Sequence, residues 1–157
     1  MKRMINCHQG FSLIELTTTM AIVAILLMLA APTYHNHLHE KRLESAAVQI
    51  ASDIRHVQQL ALATESPSYQ IRFYLNNGYY QTVLGTKVLN TGYVPNGVKI
   101  SYVYFNNDSS YRHTLRINAR GLPTPIGGHI LLSSGDKIKY VIVASVTGRV
   151  RVSDKLE

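Results

Sequence analysis

The sequence predicts an α+β fold in which one long N-terminal helix packs on an antiparallel, β-rich globular domain, and three observations predict it. An almost unbroken apolar run from Met20 to Ala31 is followed by Leu43, Ala47, Ile50, Ile54, Val57 and Ala61 at three- and four-residue steps, the spacing of one helix face. Beyond Pro67 the pattern changes to short runs rich in Tyr, Val and Ile, residues that fit a pleated, half-buried surface. These runs are separated by the turn-forming sets Asn76-Asn77-Gly78, Pro95-Asn96-Gly97 and Ser134-Gly135-Asp136. A length of 157 residues with 46% apolar and 16% charged content suits one folded domain plus an anchor and excludes a disordered tail.

Four segments follow. Residues 1–10 carry Lys2 and Arg3 and end in Gly10, the make-up of a short basic leader. Residues 11–32 form an apolar helix; its stretch from Phe11 to Ala31 is long enough to span ~30 Å of hydrocarbon at ~1.5 Å per residue. Residues 33–66 continue the helix as an amphipathic segment, with Lys41, Arg42, Glu44, Asp53 and Arg55 between the apolar positions. Ser66-Pro67 ends it, because proline disfavours helical geometry in the residue before it. Residues 67–157 are the β-rich domain, with about seven strands expected: Tyr69 to Leu75, Tyr79 to Leu84, Val98 to Phe105, Thr114 to Asn118, His129 to Ser133, Ile138 to Ser145, and Arg149 to Val152.

One carboxylate stands out. Glu15 lies inside the apolar helix, where an unpaired acid costs ~2.5 kcal/mol or more. Cleavage between Gly10 and Phe11 would create an α-amino group about one helical turn away, on the same helix or a neighbouring copy, to neutralise it. An ordinary secretory signal would use Leu29-Ala30-Ala31 as its cut site, but Pro32 follows directly. A plain membrane anchor leaves Glu15 unexplained, and a lipoprotein signal at Met4-Ile5-Asn6-Cys7 fails because the apolar segment follows the cysteine.

Cys7 is the single cysteine and lies in the leader, so the processed chain forms no disulfide and its stability rests on core packing. The formal charge is +7, unevenly spread: residues 11–78 carry net −1 and residues 79–157 net +6. A positive C-terminal half points to polyanionic partners. Its densest part is Gly148-Arg149-Val150-Arg151-Val152. At the two-residue period of a strand both guanidinium groups project from one face, ~6–7 Å apart, while the valines pack inward. Such a pair suits successive phosphates of a nucleic acid. Gly148 allows a tight backbone turn, and Lys155 extends the patch. Read by spacing alone, the same pair also suits a solvated edge strand.

Arg112, Arg116, Lys137 and Lys139 are lower-ranked phosphate contacts, and Tyr102, Tyr104 and Tyr111 are tyrosines able to stack on bases but equally at home in cross-strand packing. In His35-Asn36-His37-Leu38-His39 only His35 and His39 share a helix face, without a partner to complete a metal site. No nucleophile elbow, phosphate-cradling loop or cofactor motif is present, so the expectation is a non-enzyme without metal or cofactor.

The leader with Lys2, Arg3 and Gly10, then Phe11, Glu15 and Pro32, resembles the type IV pilins and type II secretion pseudopilins. The resemblance implies a leader removed by a prepilin peptidase, N-methylation of Phe11, a role for Glu15 in assembly with other pilin subunits, and a helix held in the inner membrane before assembly. It also implies a globular domain on the periplasmic side and then on the cell surface. The β-rich remainder, ending in a Gly-Arg-x-Arg signature, is similar to the GspH/FimT branch of minor pilins, on its FimT side. Asn118-Ala119-Arg120-Gly121 and Tyr140-Val141-Ile142-Val143 contribute to that likeness. The missing disulfide leans the same way, toward a minor component. For that branch the resemblance implies DNA as partner, contacted by Arg149 and Arg151 in natural transformation. A pseudopilin or an assembly-priming pilin, whose positive surface meets other subunits, and an anchored adhesin for acidic polysaccharide are the rival readings.

Overall fold

A computed structural model describes residues 12–105 and 113–156, the side chains of residues 29–36 and 76 apart. Helix α1, Leu13–Ala63, is followed by β1 (Tyr69–Tyr74), a 3-10 turn (Leu75–Asn77), β2 (Tyr79–Leu84), β3 (Lys87–Tyr93) and β4 (Lys99–Tyr104). Then come β5 (Thr114–Ile117), β6 (Pro123–Thr124), β7 (Gly128–Ser134), β8 (Lys137–Val143) and β9 (Val150–Ser153). The chain divides into two compact units at His37/Leu38.

In the N-terminal unit, every described side chain from Ser12 to Met28 is exposed, including Leu13, Ile14, Met20, Ile25 and Leu27. A helix apolar all round is suited to burial in lipid or among other helices. Thr17 and Thr19 donate their hydroxyls back to the carbonyls of Ile14 (3.0 Å) and Leu16 (2.9 Å), so these polar groups are satisfied within the helix itself. Glu15 sits in the first turn, exposed, with its amide donating to Ser12 O at 3.0 Å. Among the described residues no helix is long and apolar enough to cross a membrane. The apolar stretch of the sequence runs on to Ala31, past the last described side chain of that segment.

In the second unit α1 supplies the core stripe. Leu43, Ala47, Ile50, Ile54, Val57 and Ala61 are all at most 1% exposed. Ala46 and Ala51 widen the stripe, and small residues there let the helix backbone come close to the sheets. Two antiparallel sheets complete this core, one ordered β3-β2-β1-β5-β6 and the other β4-β7-β8-β9. Ile71, Phe73, Leu115 and Ile117 come from the first and Ile100, Val103, Ile130, Leu132, Val141 and Val143 from the second, each alternating with half-buried or exposed neighbours along its strand.

The helix ends earlier than Ser66. Ser66 N donates to Ala61 O (3.2 Å) and Glu65 N to Leu62 O (3.4 Å), with Glu65 at φ 51°. This is a Schellman cap in which glutamate holds the left-handed position that glycine usually fills. The cap, rather than Pro67 alone, stops the helix.

Strand number also departs from expectation: nine among the described residues instead of about seven. β3 has no alternating burial to reveal it; Lys87, Val88, Leu89 and Asn90 are all exposed, and it pairs only with β2 at the sheet edge. β6 is two residues beginning at Pro123, on the opposite edge, the position where proline is tolerated.

A buried polar link joins α1 to the first sheet. The Tyr80 hydroxyl, on a side chain 2% exposed, donates to Asp53, which also accepts from Gln49 Nε2 at 3.1 Å. Burial first, and then the Asp53 hydrogen bond and charge, push the phenol pKa well above its ordinary range. Gly92 of β3 makes room for this ring, since a Cβ there would meet Tyr80 Cζ at 2.3 Å.

Truncating the stripe should be expensive. Ile54→Ala is expected to destabilise the β-rich unit by about 2–5 kcal/mol in chemical denaturation, the cost of removing a buried aliphatic group and leaving its space unfilled.

Candidate nucleic-acid interface

The hairpin from β8 to β9 carries the arginine pair. Its connection closes through Gly148 N to Ala144 O and Ala144 N to Arg149 O, both 3.0 Å. Gly148 is at φ +66° and buried, so glycine is favoured on backbone grounds and the space beside it is tight. A Cβ there would lie 3.1 Å from Gln58 Nε2 and 3.2 Å from Leu122 Cδ2.

Two α1 side chains hold this connection from beneath. Gln58 Nε2 donates to Gly148 O at 2.7 Å, and Arg55 Nη2 donates to Val150 O at 2.9 Å. These residues bracket Arg149 and fix the backbone from which it projects. The sequence signal for them was weak: a glutamine and an arginine between stripe positions read as solvated helix surface.

Arg149 is not in the strand. It is exposed and immediately precedes β9, with its amide donating to Thr147 Oγ1 at 3.3 Å. Arg151 is half-buried within β9, opposite Ile142 of β8. Val150 is 6% exposed and Val152 packs against the core, so the valines point inward while Arg151 points out. Both arginines line one groove of about 580 Å³ with Tyr104, His129, Ile142 and Thr147 among its walls. Burial lowers the His129 pKa from its ordinary value, leaving this ring neutral at pH 7. Lys155 is exposed just past β9, its amide bonded to Ser153 Oγ at 3.3 Å.

The lower-ranked cations are not gathered here. Lys137 and Lys139 share a face of β8, but it is the face continued by buried Val141 and Val143, opposite the one that pairs with Arg151. Lys139 Nζ is 2.6 Å from Asp154, and both lysines lie in a separate groove with Glu40, Asp136 and Asp154. Their charge is therefore locally compensated. Arg116 is exposed on β5 in the other sheet. Gly10, Phe11, Tyr111 and Arg112 lie outside the described residues.

His39 Nδ1 is 2.8 Å from Ser134 Oγ at the end of β7, which ties this imidazole to the sheet. Among the described residues no three His, Cys, Asp or Glu side chains cluster as a metal site would require.

The Gly148→Ala variant tests the role of the turn. It is expected to lower stability by about 1–2 kcal/mol, the usual cost of a left-handed conformation for a residue with a Cβ, read as a fall in thermal midpoint.

The chain is similar to known proteins in its N-terminal motif, in sequence and in fold. Residues 5–31 match the prokaryotic N-terminal methylation motif. Over 151 residues the chain is 26% identical to competence protein ComGD of Bacillus subtilis (strain 168), covering 96% of this chain and 97% of that protein. Its fold is similar to the crystal structure of the type IV minor pilin FimU of Pseudomonas aeruginosa, with TM-score 0.57 and 14% identity over 73% of this chain and 90% of FimU. It is also similar to the minor pseudopilin EpsH from the type 2 secretion system of Vibrio cholerae, with TM-score 0.53 and 9% identity over 71% of this chain and 96% of EpsH. At these identities the two structures speak to the fold alone. The N-terminal motif, the relative that matches nearly end to end and the likeness in fold together support a type IV pilin-like protein of the GspH/FimT type.

Proposed function

We propose that the chain is a minor pilin of the FimT kind that binds DNA without sequence preference through Arg149 and Arg151 and serves DNA uptake in natural transformation. The observation that carries this reading is that both arginines line one groove, on a backbone tied down by Arg55 and Gln58. Guanidinium forks on a fixed backbone suit phosphate oxygens. The name of the ComGD relative, a competence protein, supports the biological setting. The role is structural and binding in kind, in keeping with the pilin-like fold.

In this reading residues 1–10 are a leader cleaved by a prepilin peptidase between Gly10 and Phe11, and Phe11 is then N-methylated. Residues 11–32 anchor the subunit in the inner membrane before assembly, residues 33–66 and 67–157 standing outside it. The new amine compensates Glu15 among neighbouring pilin subunits. Gly148 acts through its turn, and Lys155 adds a third cation. Lys137, Lys139, Arg112 and Arg116 remain secondary, and the acidic neighbours of Lys137 and Lys139 reduce the field these two offer to a phosphate.

The likeness to EpsH favours a second reading, a structural subunit whose positive surface meets other pilins. A salt titration separates the two. Full-length protein in detergent is mixed with duplex DNA at several salt concentrations, alongside the Arg149→Gln/Arg151→Gln variant. Each phosphate contact contributes about −0.9 to the slope of log affinity against log salt, so the double variant should bind more weakly with a slope shallower by about 1.8. Equal binding by both proteins removes the pair from the mechanism, and no binding by either favours the structural subunit.

A second test concerns assembly. Glu15→Leu is expected to leave membrane insertion intact and to abolish incorporation into filaments, scored by comparing membrane and sheared-filament fractions. Normal incorporation would remove the carboxylate from assembly.

A further inference from the structure

We infer that the outward face of the four-stranded sheet binds unpaired nucleic-acid bases, with Tyr102, Tyr104 and His129 as the stacking surface and Arg149 and Arg151 holding the adjoining phosphates. The inference rests on the phosphate-binding reading of the arginine pair and names the form of nucleic acid that this site takes.

Strand register carries the argument. Tyr104 of β4 lies opposite His129 of β7, His129 opposite Ile142 of β8, and Ile142 opposite Arg151 of β9. These four residues therefore form one row across the sheet on the same face, because directly paired residues point to the same side. The next row is Tyr102, Leu131, Tyr140 and Ser153. Val103, Ile130 and Val141 alternate with them and are buried, so the two rows face away from the core.

Along this face the His129 ring lies 5.7 Å from Tyr102, 6.0 Å from Tyr104 and 6.1 Å from Tyr140, centroid to centroid. Tyr102 is 40% exposed. Neutral at pH 7, His129 offers a ring surface without adding charge. With strands about 4.8 Å apart, Arg151 stands about 10 Å from His129 and about 14 Å from Tyr104 across the sheet, a distance that a short single strand bridges. Tyr104, His129 and both arginines line the same groove. The described outward-facing residues of β4, β7, β8 and β9 include no Asp or Glu, which suits a polyanion.

The combination of rings with arginines distinguishes single strands from duplex. In a duplex the base faces are stacked on one another, so a protein meets phosphates and groove edges, and aromatic faces beside the arginines add little. In a single strand each base offers a face, and rings plus a cationic border are the usual means of holding it without sequence preference.

A second tyrosine ladder, Tyr74, Tyr79 and Tyr93 on the five-stranded sheet, provides a control. Tyr74 and Tyr79 stack on each other at 4.5 Å, so each covers a face of the other, and neither lines the arginine groove.

The test uses full-length protein in detergent, a labelled oligothymidylate of about 20 nucleotides, and a duplex of equal length, read by fluorescence anisotropy. Tyr102→Leu/Tyr104→Leu should weaken single-strand binding roughly tenfold and leave duplex binding within about twofold. Tyr102→Ser alone, at the most exposed ring, should give a smaller loss of about threefold, while Tyr102→Phe and the control Tyr79→Leu should bind like the parent. Arg149→Gln/Arg151→Gln should weaken both forms. Unchanged single-strand binding in both tyrosine variants, or equal loss of single-strand and duplex binding, overturns the stacking assignment while the arginine reading stands. If the same tyrosine variants instead lose association with other pilin subunits, the face is a subunit contact and the inference is wrong. Unchanged binding in the arginine variant overturns both.

Discussion

The C-terminal part of α1 is the one surface on which both sheets close. Leu43, Ala47, Ile50, Ile54, Val57 and Ala61 are shared by inner faces that do not hydrogen-bond to each other, so each sheet's attachment depends on the same helical stripe. One helix face cannot serve both sheets unless its residues are apolar and its side chains short enough for close approach, and the alanines at 46, 47, 51 and 61 meet that need. The rest follows from this sharing. With the core on one side of each sheet, the opposite faces are left to the surroundings, and polar side chains that flank the stripe are placed against the loops between strands.

Gln58 and Arg55 show the consequence for function. They flank Val57 and Ile54 of the stripe, and their donors reach the carbonyls on either side of Arg149. Packing of the helix therefore sets the position of the arginine loop, which is otherwise a short surface connection with few contacts. Rigid placement matters because a guanidinium that must be ordered on binding gives up part of the energy of its phosphate contact. Gly148 adds to this by meeting the loop's positive φ at a point where Gln58 of the helix and Leu122 leave little room for a side chain.

Much of the fold was legible in the sequence because its signals were periodic. The stripe residues recur at helical spacing and all are buried, and the limits of β2 match the run from Tyr79 to Leu84. What was not legible lacked a period. β3 is exposed along most of its length and is a strand only because β2 offers it an edge. Arg149 fits strand alternation with Arg151 by spacing, yet the Ala144 and Gly148 hydrogen bonds keep it in the loop. Lys137 and Lys139 were readable as neighbours on one face, but not as sharing a groove with Glu40, far away in sequence, and Asp154, across the strand pair. Similarly, the row from Tyr104 to Arg151 depends on register across four strands, which no local pattern specifies.

The central claim is that a helix-anchored arginine loop and the groove beside it form the nucleic-acid contact. Amide hydrogen exchange of full-length protein, with and without saturating oligonucleotide, tests it most directly. The account predicts new protection confined to residues 102–104, 127–129 and 144–151, with the lysine groove around 136–139 unchanged. Protection centred on 136–139 or on the five-stranded sheet, with 144–151 unaffected, would contradict it.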